Sequence, residues 1–183
     1  TESSSTVADL QAKKSIVIKA VTDGGWLNGG ICIKSDVQKH TINVSASSIS
    51  INDIGGLSGI HVHGSNDTVN VTGFEKFSIY NSNEFESIDG HNGGNGIRIC
   101  NSGSKVIVKG NPGSTIEIDV GQSGVVMDSG EEISLSAGTI NILTEGTGYK
   151  ENKVYKGHAV VNTSGGAIKV LATDKISISN DNI

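Results

Sequence analysis

His61 and His63 stand two residues apart in a stretch whose alternate members, Ile60 and Val62, are apolar. Side chains of an extended chain alternate between faces, so both imidazoles are expected to project outward, opposite the apolar pair. Cys32 and Cys100 sit in similar short stretches before and after. Imidazole and thiolate are ligand types that zinc prefers, so metal binding is the first chemistry to weigh. The spacing argues against it. No Cys-x-x-Cys pair is present, and the repeat described below sets the cysteines two rungs apart. That separation, on the order of 10 Å or more, also argues against a disulfide, whose Cα atoms must lie within about 7 Å. The expectation is two free thiols beside surface histidines, with no metal and no cofactor.

Gly93-Gly94-Asn95-Gly96-Ile97-Arg98-Ile99 begins like the calcium-binding nonapeptide of β-roll proteins, but Arg98 stands where an aspartate is required. A cation offers calcium no oxygen ligand. No Gly-x-Ser-x-Gly elbow, phosphate loop or dinucleotide fingerprint occurs. The acidic groups that could act together are Glu117 with Asp119, two residues apart, and the Glu131-Glu132 pair.

The elements that must position these residues are short and repetitive. Two apolar residues flanking one usually polar residue recur fifteen times, as in Ile31-Cys32-Ile33, Ile42-Asn43-Val44 and Ile49-Ser50-Ile51. The order A, B, C repeats, and Ile97-Arg98-Ile99, Val106-Ile107-Val108 and Ile116-Glu117-Ile118 form the third set. The fifth set reads Ala159-Val160-Val161, Ile168-Lys169-Val170 and Ile176-Ser177-Ile178; Ile16-Val17-Ile18, with Val7 before it, is the remnant of an earlier one. A starts at residues 31, 60, 97, 125 and 159 give periods of 29, 37, 28 and 34, within the range of solenoids. Alternation over so few residues, rich in Ile and Val, predicts short strands.

The fold expected is therefore all-β: a parallel β-helix, or solenoid, with three short strands per coil and about five complete coils. Residues 1–183 form one domain, read as a fragment of a longer protein, with 1–15 an incomplete first coil or N-terminal extension. Gly30, Gly59, Gly96 and Gly124 each precede an A strand, marking a corner that needs close approach or a special backbone conformation. A β-sandwich is the lesser alternative, since nothing in it requires repetition in threes.

Connections from A to B and from B to C are short, whereas those from C to the next A alternate long and short, so the insertions leave one edge. The long ones, Ala20 to Gly30, Tyr80 to Gly96 and Leu143 to Gly157, carry Trp26, Tyr80, Phe85, Tyr149 and Tyr155. Loops raised on a rigid scaffold are where binding concentrates, and Trp26, Phe85, Tyr149 and Tyr155 are the candidate binding residues. The opposing possibility is that these rings fold down over the solenoid flank. The outward central positions of A and B contain no acid; those of C read Ser50, Ser78, Glu117, Asn141 and Ser177. Without converging carboxylates, no catalytic residue is assigned and a non-enzymatic role is expected.

Bulk composition narrows the partners. A net charge of -5, from 14 basic and 19 acidic residues, disfavours nucleic acid. No apolar run approaches the roughly 18 residues of a membrane-spanning helix. Aromatics are 4% of the chain, so the core must be aliphatic.

The units Gly59-Ile60-His61-Val62, Thr68-Val69-Asn70-Val71-Thr72-Gly73 and Lys175-Ile176-Ser177-Ile178-Ser179 resemble the β-helical passenger region of bacterial autotransporters (type V secretion) and related surface adhesins. The resemblance covers roughly Ile16 to Ile178 and is one of repeat style, with no diagnostic motif. It implies right-handed coils, a place on the bacterial cell surface or among secreted proteins, and adhesion or autoaggregation. The partner implied is a host surface protein, a glycan or another copy of the chain. A carbohydrate-active β-helix, polysaccharide lyase or glycosidase-like, is the alternative, and a trimeric phage or virus fibre ranks last. Uncapped terminal coils lead to an expectation of end-to-end association at high concentration.

Overall fold

The computed structural model describes residues 5–19, 29–34, 39–52, 58–81, 94–144, 147–150, 153–156, 158–163 and 165–180. They form β1 (Ser5–Gln11), β2 (Ser15–Lys19), β3 (Gly29–Ile33), β4 (Lys39–Ser45), β5 (Ser48–Asn52) and β6 (Ser58–Val62). Next come β7 (Thr68–Thr72), β8 (Lys76–Asn81), β9 (Asn95–Ile99), β10 (Lys105–Lys109), β11 (Thr115–Val120) and β12 (Val125–Met127). The remainder are β13 (Glu132–Thr144), β14 (Thr147–Lys150), β15 (Lys153–Lys156), β16 (Val160–Asn162) and β17 (Ala167–Asn180). No helix occurs among the described residues.

Apart from β14 and β15, which pair antiparallel with each other, the strands pair in parallel with the equivalent strands of neighbouring repeats. The A strands form one sheet, ordered β16-β12-β9-β6-β3. The B ladder runs β1-β4-β7-β10 and the C ladder β2-β5-β8-β11, and both join the long β13 and then β17 to make a 10-stranded sheet. In β13, residues Glu132 to Ser136 pair with β10 and Thr139 to Thr144 with β11, with a bulge between Ala137 and Thr139. The B–C corner, expected as a connection, is thus a bent continuous strand in the last two repeats. A bulge supplies the bend while keeping both ladders in register.

Register follows the triplets. Ile42, Val69, Val106, Ile133 and Ile168 form one column, and Ile49, Phe77, Ile116, Ile140 and Ile176 another. Apart from Ile176, which is exposed, these side chains pack with Ile31, Ile60, Ile97 and Val125 from the A sheet into one apolar core. Phe74 and Phe77 fill a B–C corner with ring centroids 5.6 Å apart. Each buried Ile or Val contributes about 1.5–3 kcal/mol relative to exposure.

Two registers differ from the sequence expectation. β16 aligns Val160 with Val125 and Val161 with Val126, so the fifth A triplet is Val160-Val161-Asn162, one residue later than Ala159-Val160-Val161. At the other end β1 aligns Ala8 with Ile42 and Leu10 with Val44, leaving Val7 opposite Thr41 rather than in the apolar column. In both places, pairing with the neighbouring strand outweighs the local apolar pattern.

The corner glycines are explained by close approach. A Cβ at Gly30, Gly59, Gly96 or Gly124 would lie 2.3–2.5 Å from the Cγ2 of Ile51, Ile79, Ile118 or Ile142 respectively. Each glycine therefore lies flat against the isoleucine that ends a C triplet, and none of the four has a positive φ. Opposite Gly124 in the terminal rung the chain carries Ala159, whose carbonyl receives the Val125 N–H.

Candidate functional site

The outward side of the A sheet brings together the residues with the most chemistry. Cys32, His61 and Arg98 are in direct register on β3, β6 and β9. His61 is only 2% exposed, which corrects the expectation of a surface histidine: the flanking strands β3 and β9 cover an outward side chain as well as an inward one. Its Nε2 lies 3.3 Å from Cys100 Sγ, and its Nδ1 is buried without a partner. The His63 ring stands edge-on to it at 6.0 Å. Arg98 places both Nε and Nη2 2.7 Å from Asp128 Oδ2, and Cys100 Sγ is 3.9 Å from that same oxygen.

Burial holds the His61 imidazole and the two thiols in their neutral forms. Burial, reinforced by the Arg98, His63 and Lys34 charges against Asp128, lowers the His61 pKa to about 4. Burial pushes the Cys100 thiol up, with Arg98 opposing and Asp128 assisting; burial also pushes Cys32 up, with Lys34 opposing. A nucleophilic cysteine needs a thiolate beside a cation. Here burial keeps the Cys100 thiol protonated beside a neutral imidazole, the opposite condition. Among the described residues, no group of three or more His, Cys, Asp and Glu is arranged to hold a metal ion.

A second buried centre lies just before the B strands and escapes the triplet pattern. His40, Asp67 and Ser104 precede Thr41, Thr68 and Lys105, which are in register, so the three form a column. The His40 N–H donates to Asp67 Oδ1 at 2.7 Å, and His40 Nδ1 lies 3.1 Å from the same oxygen. Asp67 is fully buried; its N–H donates to Ser104 Oγ at 3.1 Å, and Ser104 donates to the Gly64 carbonyl at 2.7 Å. The column fastens adjacent rungs where the chain turns from A to B. Its sequence signal is the shared offset from each B triplet, visible only once the register is known.

Elsewhere the outward columns are largely polar, interrupted by Ile107 in one and Val17 in the other. Asn70 Nδ2 donates to Asn43 Oδ1 at 2.9 Å, and Asn43 Nδ2 to Asp9 Oδ1 at 2.8 Å. Ser78 Oγ donates to Ser50 Oγ at 3.2 Å, and Ser50 to Asn52 Oδ1 at 2.8 Å. Of the acidic pair considered above, Glu117 is ion-paired with Lys76 at 2.8 Å. Asp119 has its pKa raised by burial and then by Glu117. Glu131 and Glu132 separate, one to Lys105 at 2.7 Å and the other to Lys169 at 2.9 Å.

The aromatic candidates are only partly placed. Trp26 and Phe85 lie outside the described residues. Tyr149 and Tyr155 lie on β14 and β15, an antiparallel hairpin in which Tyr155 is opposite Gly148 and Tyr149 opposite Val154. That insertion was expected only as a loop. Tyr80, at the end of β8, is exposed. A groove of about 510 Å³ opens where the A sheet ends one strand before the B and C ladders, lined by Thr6, Ala8, Cys32, Lys34, His40 and Thr41 among others. No family model matches the chain, and neither a curated protein nor a solved structure matches it.

Proposed function

We propose that this chain is a segment of a right-handed parallel β-helix from a bacterial cell-surface or secreted protein, serving adhesion or autoaggregation without catalysis. The observation that carries the reading is the ladder pattern: equivalent strands of successive repeats pair in parallel, A with A, B with B and C with C. Such stacking produces a rigid rod, in which each repeat contacts chiefly its neighbours. Outward columns of Asn and Ser bonded along the stack suit a rod that displays loops. A polysaccharide-cleaving groove needs two free carboxylates facing one substrate, whereas Glu117 is already engaged by Lys76.

The host-facing partner, a surface protein or a glycan, is assigned to the insertion edge with Trp26, Phe85, Tyr149 and Tyr155. Binding of the intact chain to arrays of glycans and extracellular-matrix proteins tests this, beside a variant with those four residues changed to Ser. Specific binding that disappears in a variant retaining its β circular dichroism is the expected result. Binding unaffected by the four changes overturns the edge assignment, and polysaccharide cleavage by the chain overturns the non-enzymatic reading.

A further inference from the structure

Cys100 and His61 come from different repeats and meet on the outward side of the A sheet, away from its first and last strands: β6 pairs with β3 and β9, and β9 with β6 and β12. Cys100 directly follows β9, and its N–H donates to the Val62 carbonyl at 2.9 Å. That bond anchors the thiol beside β6, where His61 Nε2 lies 3.3 Å from Sγ. The ring is 2% exposed, and its other nitrogen, Nδ1, is buried without a hydrogen-bond partner. A thiol is a weak hydrogen-bonding group, so a nearly sealed imidazole has one weak contact at one nitrogen and none at the other. Buried polar groups are normally paired, and a shortfall of this kind points to a ligand.

Charge decides which ligand. The positive charges of Arg98 and Lys34 both bear on His61; Arg98, in direct register with it, is held by Asp128 through Nε and Nη2 at 2.7 Å. A divalent ion displacing the single thiol proton would add positive charge to this buried spot. Zinc and calcium also call for four or more ligands, which no group of described residues supplies. A monovalent ion in place of the proton leaves the net charge unchanged. Copper(I) is monovalent and soft, accepts as few as two ligands, and is bound by thiolate and imidazole. With bonds of about 2.0 Å to nitrogen and about 2.3 Å to sulfur, one ion reaches both atoms at their present separation.

We infer that Cys100 and His61 form a binding site for one copper(I) ion, held by Cys100 Sγ and His61 Nε2. On loading, the S–H bond breaks, its proton passes to solvent and the sulfur lone pair forms the S–Cu bond. The Nε2 lone pair forms the second bond, in the tautomer with its proton on Nδ1. Copper arrives and stays as copper(I), so no electron is transferred. Cys100 is partly exposed and gives the entry side, with buried His61 behind it. Cys32, in register with His61 from β3, is not required. The site is separate from the adhesive edge and does not depend on that reading.

Copper(I) supplied as its bicinchoninate complex under argon is titrated into the folded chain, and competition between chain and chelator reads the affinity. One ion bound per chain, with one proton released, is expected. Loading should raise the melting temperature, since the pair is assembled only in the fold; capture by loose thiols of the unfolded chain would lower it. Cys100→Ser and His61→Leu are each expected to weaken binding by at least about tenfold, and Cys32→Ser by less than about threefold. X-ray absorption of the loaded, unaltered chain needs no variant to fold, and is expected to show one sulfur and one imidazole nitrogen around copper. Failure to take copper from bicinchoninate, a lowered melting temperature, a shell of sulfur alone, or equal dependence on Cys32 and Cys100 overturns the site.

Discussion

Ile140 and Ile142 in β13, and Ile176 and Ile178 in β17, are the same triplet one rung apart. Their surroundings differ completely: the first pair is 0–1% exposed and the second 47–48%. Both have the same backbone pairing on one side and the same inward direction. Among the described residues the outer triplet has no strand paired on its far side. An apolar triplet in this architecture therefore has no fixed worth of its own; its contribution is set by how many neighbours stack on it.

The largest test of that contrast is truncation in the two rungs. Ile140→Ala is expected to cost about 2–5 kcal/mol, because it leaves a cavity between packed rungs. Ile176→Ala should cost below about 1 kcal/mol, since its side chain is half exposed in the free chain. Urea unfolding of the two variants measures both, and equal losses would break the distinction between inner and outer rungs.

Acid probes the inner rungs by a different route. The pKa of His61 falls from its ordinary 6.5 to about 4 in the fold. The unfolded chain therefore takes up the proton first as pH drops. Stability from this group is fully present above about pH 6.5, declines between 6.5 and 4, and is flat below; the total loss is about 3 kcal/mol as an order of magnitude. His61→Leu should remove that slope from a stability-versus-pH curve. A slope unchanged in the variant would place the acid sensitivity elsewhere.

Glycine positions sharpen the same comparison at smaller scale. A Cβ at Gly96 would lie 2.5 Å from both the Gly124 carbonyl oxygen and Ile118 Cγ2, so Gly96→Ala should cost about 1–3 kcal/mol through displacement of a packed rung. Gly165, with nothing within 4 Å of its prospective Cβ, should accept Ala within about 0.5 kcal/mol in either direction. Thermal unfolding of the two variants checks the difference. The smallest effect concerns the thiols, both raised in pKa by burial. Iodoacetamide at neutral pH should label Cys32 and Cys100 more slowly in the folded chain than in urea, and equal rates would contradict their protected placement.

Much of the register was legible because Ile-x-Ile and Val-x-Val alternation permits only one inward set; a slip by one residue would turn every apolar side chain outward. Legibility failed where alternation is weak. Ala159-Val160-Val161 offers three apolar residues in a row, so the choice fell to pairing with Val125 and Val126. Val7 is larger than Ala8, yet Ala8 and Leu10 align with Ile42 and Val44, and Asp9 then stands beside Asn43. The burial of His61 was hidden for a related reason. Pointing away from the core normally means meeting water, but here Cys100, brought alongside from 39 residues away, meets the ring. The His40–Asp67 contact spans 27 residues and follows no local spacing rule. The hairpin of β14 and β15 lies in an insertion, outside the repeat that made the rest readable.

The central claim of the proposed β-helix is that successive repeats stack in a line rather than closing into a ring. Five steps of the B column separate Asp9 from Lys169. At about 4.8 Å per step, stacked rungs set them about 24 Å apart. Spin labels at Asp9→Cys and Lys169→Cys, in a chain with Cys32→Ser and Cys100→Ser and diluted in excess unlabelled protein, measure that distance directly. A distribution centred near 24 Å is the predicted result; one centred below about 10 Å would contradict it.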